Sequence, residues 1–341
     1  MPDYLEDLRE VVRRGEGSQL KKDVMLRKIR KLELRVKKGG GNVQNFSQDY
    51  LVEGLEGNKQ DWMFRLCAAR LLRGDYSDWS GWEFRNEWSL QARLPNPNKL
   101  WAGEKVNTLA VLGEQGLGDE ILFSSCIPDV QRLGIEVTIE CDRRLETVFQ
   151  RSFGCKTRPR DKRGENNLPL NLKRPEEAFI PLGDLPAMFR KSRTAFTSSA
   201  FIKAETAEKW KHLKGRTGIA WRGRRGQLNP KDFKVNNPVC LQYDAWEYET
   251  QGMEVPKIDL HNDIEDLLGI CKNLDRVITV PQTIVHLAGS QGVPVEVIVP
   301  PVESGRVKDQ LNFKYGMTGR MDWYKSVRVF QNLNEWNQHK R

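Results

Sequence analysis

No apolar run in these 341 residues approaches the length needed to span a bilayer, and no charged-then-apolar signal sequence opens the chain. Both absences argue against a membrane-spanning segment and predict a soluble, cytoplasmic protein. Cysteine is sparse. Cys67, Cys126, Cys141, Cys155, Cys240 and Cys271 are scattered without C-x-x-C spacing. That excludes the usual zinc-ligand pattern and predicts reduced thiols in the core. What the chain has in excess is positive charge, a formal net +9. This favours an acidic partner: nucleic acid, an anionic membrane surface or a phosphorylated glycan.

The most informative stretch is Gly113-Glu114-Gln115-Gly116-Leu117-Gly118-Asp119-Glu120. It follows an apolar run, Thr108 to Leu112, that reads as a buried strand, and it leads into a helical pattern at Ile121-Leu122-Phe123. Strand, glycine loop and helix start is the layout by which α/β proteins bring backbone close to a ligand. Asp119 falls on the first helical turn, where the helix dipole favours an ionised carboxylate. Three readings follow. The loop is a tight turn with a helix-capping Asp; or it binds a dinucleotide, with Glu140 as the ribose acid; or Asp119 is a catalytic base in a sugar-transfer site. Against the second, the spacing is G-x-x-G-x-G rather than G-x-G-x-x-G, and Asp119 would repel a pyrophosphate.

Residues 1–90 read as helical. A Lys- and Arg-dense stretch, Leu20 to Lys38, is either a solvated amphipathic helix or a surface for a polyanion, and further helices are expected at Tyr50–Gly54 and Trp62–Leu72. Trp79, Trp82, Trp88 and Trp101 are expected to pack this part onto a first α/β domain. From Val106 onward strand and helix alternate, which predicts parallel sheets. Strands are expected at 107–112 and 135–140, with helices over 120–132 and 143–152. Residues 156–174 read as a polar loop with seven Lys and Arg against two acids. Arg158, Arg160, Lys162 and Arg163 within it make either a solvated loop or an acceptor-binding edge. A second series opens at Thr217–Trp221. Its loop, Arg222-Gly223-Arg224-Arg225-Gly226, looks suited to phosphate because arginine pairs with it in two-pronged fashion. A helix at 264–273, a strand at 276–280, a helix opened by Pro281-Gln282-Thr283 and a strand at 293–299 complete it. Thr283 is the expected N-cap, with His286 on the same face.

These motifs carry a resemblance. Gly116-Leu117-Gly118-Asp119, Gly218-Ile219-Ala220-Trp221-Arg222-Gly223 and Thr283-Ile284-Val285-His286-Leu287-Ala288-Gly289 resemble the lipopolysaccharide heptosyltransferase family of GT-B glycosyltransferases. The similarity is closest to the branch fused behind tetratricopeptide repeats. Ala69 to Tyr76 with Gly81 to Arg85 resembles the last repeat and linker of that branch, and Met321 to Phe330 resembles its C-terminal segment. The resemblance implies an α/β fold of two Rossmann-like domains facing a cleft, behind a small tetratricopeptide-like helical segment. The expected division is 1–90 helical, 91–205 acceptor domain and 206–341 nucleotide-sugar donor domain. It further implies that Asp119 takes the acceptor hydroxyl proton and that Arg222, Thr283 and His286 contact the donor diphosphate or ribose. Gly116, Gly118, Trp221 and Gln282 complete the expected donor site. Many members of the family carry an acid where this chain has Gln282, so the donor nucleotide stays open.

The sequence thus predicts an inverting glycosyltransferase with a nucleotide-sugar as co-substrate and no other cofactor. No Asp-x-Asp occurs, so a metal-bridged diphosphate is not indicated. The expected acceptor is acidic, either a surface glycan or a hydroxymethylated base in DNA, which would have to be flipped out of a duplex. A non-catalytic polyanion-binding module and an NAD-dependent oxidoreductase are the rival classes.

Overall fold

In the computed structural model of the chain, residues 70–86, 99–160, 175–196, 200–224, 226–299 and 319–339 are described, together with 64, 67, 68 and 314–316. The helices expected at Leu20–Lys38 and Tyr50–Gly54 lie outside them, as do Trp88, Lys162 and Arg163. Of the helix expected over 62–72, the described positions are helical.

Strand β1 (Thr108–Leu112) is buried at its last four residues and lies inside a parallel sheet. A strand covered on both faces reads as a continuous apolar run, which is why it was legible. Its helix partners are α1 (Leu117–Ser124) and α2 (Ile127–Gln131), two helices where one was expected. Pro128 in the first turn of α2 lacks the N–H that would continue α1, so the helix restarts there. Strand β2 (Glu136–Cys141) follows, then α3 (Glu146–Phe153), which ends on left-handed Gly154 at φ 64°. Residues 156–159 are strand β3 (Lys156–Pro159), not the start of a loop. Strand β4 (Ala178–Pro181) and helix α4 (Leu185–Phe189) close the first half.

The second half begins with β5 (Thr217–Ala220), a hairpin of β6 (Arg222–Gly223) and β7 (Gly226–Gln227), and β8 (Val239–Cys240). Helix α5 (Ile264–Asn273), β9 (Arg276–Thr279), α6 (Thr283–Gly289), β10 (Val295–Ile298), β11 (Val327–Phe330) and α7 (Leu333–His339) complete it.

The first sheet runs β3-β2-β1-β4 and the second β11-β10-β9-β5-β8, parallel throughout. In the first, the chain moves outward from β1 through β2 to β3 and then returns to β1's other side as β4. In the second it leaves β5 for β8 and returns to β5's other side as β9. Each reversal is a topological switch point, and in open α/β sheets ligands lie outside the strand ends there. The switch points fall beside β1 and β5.

One hydrophobic cluster runs through both halves, including Ile121 and Leu122 of α1 and Ile284, Val285 and Leu287 of α6. Trp323 adds to it, its ring 5.8 Å from Phe123 and 5.0 Å from Phe196. Polar contacts reinforce the join: Arg144 donates to the His261 carbonyl at 2.8 Å, and Arg151 reaches Glu265 at 2.6 Å. The Trp-rich segment packs more widely than expected. Trp79 and Trp82 donate to the carbonyls of Arg190 and Gly183, but Tyr76 donates to Asp322 in the C-terminal segment at 2.7 Å. All six cysteines are buried, and burial is the main cause that pushes the Cys126 and Cys271 thiols up to about 12.

Candidate active site

The glycine loop leaves β1 at its switch point, held by the Gly113 N–H donating to the Glu140 carbonyl at 2.6 Å. Gln115 in this loop has φ 60°, a left-handed conformation that costs a non-glycine residue energy and persists only where neighbours enforce it. The enforcing neighbour is Arg160, which donates to the Gln115 carbonyl at 2.7 Å. Arg160 also meets Glu120 at 2.5 Å, and both side chains are almost wholly buried. Arg160 therefore shapes the loop from within. Arg158 is likewise committed, to Glu140 at 2.9 Å and to Glu176 at 3.1 Å. The two arginines expected at an acceptor-binding edge are paired with buried acids of the same half. Glu140, the candidate ribose acid, is thus the ion-pair partner of Arg158.

Asp119 is the third residue of α1. Its Oδ2 accepts from the Gly116 N–H at 3.2 Å, so the capping reading holds for one oxygen. The other oxygen, Oδ1, is ion-paired with the ammonium of Lys314. Gly118, one residue before, lies against His286 of α6: a Cβ there would come within 2.7 Å of the imidazole Cδ2. That close approach requires glycine and sets Asp119 where the two halves meet.

Beneath the loop lies a group that the sequence reading missed. Arg85 pairs with Glu114 at 2.5 Å and Asp184 at 2.6 Å, and Glu114 accepts from the Gly183 N–H at 2.6 Å. The Arg85 guanidinium also lies 5.2 Å from the centre of the Trp82 ring. The only sequence signal was an acid inside an otherwise glycine-rich turn.

At the second switch point, Trp221 is buried and donates from its indole to Glu249 at 3.1 Å. Arg222 does not project into an open phosphate loop. It opens a tight hairpin and binds Glu249 at 2.5 Å and Asp244 at 3.2 Å. Gln242 locks this corner by accepting from the Trp221 and Arg222 backbone N–H groups at 3.0 and 2.9 Å. Gly223 touches the strand-β9 loop, since a Cβ on it would lie 2.7 Å from the Pro281 carbonyl. Gln282, rather than Thr283, is the N-cap of α6, and its side chain donates to Thr279 at 3.1 Å. Thr283 is the first helical residue and is half-buried. His286 is buried between the hydroxyls of Tyr324 (3.3 Å from Nδ1) and Tyr315 (3.4 Å from Nε2). Burial lowers its imidazole to about 3, so it is neutral at neutral pH and is not a positive charge for a phosphate.

Of the predicted residues, Gly118 beside Asp119 meets His286 across the two halves, and Gly223 beside Arg222 meets the Pro281–Gln282 turn. A groove of about 450 Å³ lies elsewhere, at the starts of β2 and β3, and contains none of them. Among the described residues no group of His, Cys, Asp and Glu side chains is placed to hold a metal, and no helix is long and apolar enough to cross a membrane.

Comparison with known proteins adds relatives. No family model matches the chain. It is 27% identical over 319 residues to Protein FlbA of Caulobacter vibrioides, with 79% of this chain and 52% of FlbA aligned. The chain therefore spans about half the length of the curated relative it matches. Among solved structures it is similar to a glycosyl transferase family 9 protein of Veillonella parvula, at 13% identity and a TM-score of 0.46 over 70% of this chain and 93% of that one. It is also similar to E. coli heptosyltransferase WaaC with ADP-2-deoxy-2-fluoro heptose, at 12% identity and a TM-score of 0.42 over 68% and 98%. A third is TibC of enterotoxigenic E. coli, described as an iron-containing dodecameric glycosyltransferase, at 13% identity and a TM-score of 0.38 over 59% of each chain.

Proposed function

We propose that the chain is a glycosyltransferase that moves a sugar from a nucleotide-sugar to a hydroxyl of an acidic acceptor, with Asp119 as general base. The observation that carries this reading is the place of Asp119: a carboxylate at the first sheet's switch point, on a helix backed by α6, which itself leaves the second sheet beside its own switch point. A base at that junction can reach an acceptor from one side and a donor from the other. Asp119 takes the proton as the acceptor oxygen bonds to the anomeric carbon. The bond from that carbon to the diphosphate breaks, and the nucleoside diphosphate leaves with the electron pair. Attack from the face opposite the leaving group inverts the anomeric carbon.

On this reading Gln282 and Thr283 supply polar contacts to the donor, while Gly116 and Gly118 keep the loop backbone close to it. Trp221 and Arg222 form the wall, Arg222 through the hairpin that it anchors to Glu249 and Asp244. His286 packs and hydrogen-bonds rather than carrying charge. With Arg158 and Arg160 committed internally, acceptor recognition passes to Lys162, Arg163 and the chain's other basic residues. The reaction is proposed to need no metal, because the sequence lacks Asp-x-Asp.

The experiment is a panel of nucleotide-sugars offered with core oligosaccharide and with hydroxymethylated DNA, scored by acceptor mass, with and without EDTA. The expected result is a gain of one sugar on one acceptor with release of nucleoside diphosphate, unchanged by EDTA. Tight acceptor binding with no mass gain from any donor would replace this reading with a polyanion-binding module.

A further inference from the structure

Asp119 and Lys314 are 195 residues apart and come from different halves of the chain, yet their side chains form an ion pair, 16% and 15% exposed. No sequence motif announces it. Lys314 is fixed through its neighbour: Tyr315 is buried, with its hydroxyl 3.4 Å from His286 Nε2 and its ring centre 6.0 Å from the imidazole. The same imidazole is the surface against which Gly118 packs. His286 therefore spaces the helix bearing Asp119 from the segment bearing Lys314, and both ends of the pair are set by contacts outside it.

A carboxylate at so enclosed a position loses hydration, which favours the protonated and catalytically useless form. The Gly116 N–H answers for one oxygen only. We propose, on the reading of Asp119 as the base, that Lys314 is its positioning residue: the ammonium keeps the carboxylate ionised and fixes Oδ1 while Gly116 holds Oδ2.

The surrounding charges are consistent with this. Glu114 acts on Lys314 but is itself bound to Arg85, and Glu120 is bound to Arg160. His286 is neutral, and Tyr315 and Tyr324 are phenols, the latter pushed well above its usual range by burial. Lys314 is thus the cation in contact with Asp119 among the described residues. Burial lowers its ammonium to about 8, with Glu114 opposing, so the charged form still predominates at pH 7.

The test is the pH profile of kcat/KM for the full chain carrying Lys314→Met, Lys314→Gln or Lys314→Arg. Loss of an adjacent cation raises a carboxyl group by about one to three pH units, so the acid limb of the Met and Gln variants should move up by that amount. Activity should be restored well above the limb, and Lys314→Arg should keep the parental limb. A merely structural role predicts uniform loss without movement of the limb, and that result, or an unmoved limb with full activity, overturns the proposal. Asp119→Asn separates the two readings. Activity surviving in that variant removes Asp119 as base, and the pair is then read by the ¹³C titration of the Asp119 carboxyl, assigned by its loss in Asp119→Asn. An unchanged titration in Lys314→Met overturns the proposal there too.

Discussion

Gly118 and His286 touch across the junction of the two sheets, and a single methyl group on Gly118 would lie 2.7 Å from the ring. This contact decides how closely α1 and α6 approach, and therefore where Asp119 stands. Gly118→Ala must push the buried imidazole off its two tyrosine hydroxyls or drive the helices apart. Overpacking of this kind typically costs about 1–3 kcal/mol. The expected outcome is a lowered melting temperature and a reduced kcat, measured on the purified variant. A variant that melts and turns over like the parent would show that the helices are not in register through this contact.

His286 gives a pH signature. In the unfolded chain its imidazole takes a proton near 6.5, whereas in the folded protein it does so only at about 3. Between these values the unfolded state binds more protons, so stability falls as pH drops below the unfolded value. At pH 5 the loss attributable to this one ring is about 2 kcal/mol. Urea melts of the parent and of His286→Gln across that window should show the parent losing more stability on acidification. Parallel curves would mean that the ring is solvated.

Arg160 distinguishes an internal role from a surface one. It sustains the left-handed Gln115 and neutralises Glu120, whose side chain is fully buried. Arg160→Met takes the cation from that acid and leaves it the Asp142 N–H at 2.8 Å, and breaking a buried pair from one side costs about 3–5 kcal/mol. The expected result is a large fall in the denaturation midpoint. A change confined to acceptor KM, with stability intact, would return Arg160 to the acceptor edge.

How far the sequence could be read depended on the range of the interaction. β1 and α5 were found at or within a residue of their observed bounds because a buried parallel strand and a helix spaced by apolar residues announce themselves locally. The stretch at 156–174 misled for the opposite reason. Arg158 and Arg160 looked like solvent charges because their partners, Glu140, Glu176 and Glu120, come from another strand, the turn before β4 and a helix. The arginine-bearing loop after β5 likewise looked open because Glu249, Asp244 and Gln242 are some twenty or more residues away. Asp119 was recognisable from its loop, but its cation, Lys314, was not: nothing near position 314 marks it as part of this site.

The central claim is that Asp119 is the base of a sugar transfer, and the most direct measurement is turnover of Asp119→Asn beside its donor affinity. Asparagine keeps the size of the side chain and an oxygen for the Gly116 N–H but cannot take the acceptor's proton. Loss of a general base costs on the order of 100- to 10,000-fold in rate. The account predicts a kcat lowered by that amount, with nucleoside-diphosphate binding by calorimetry within a few fold of the parent. A variant whose kcat stays within about threefold of the parent, far inside the range for a lost base, contradicts it.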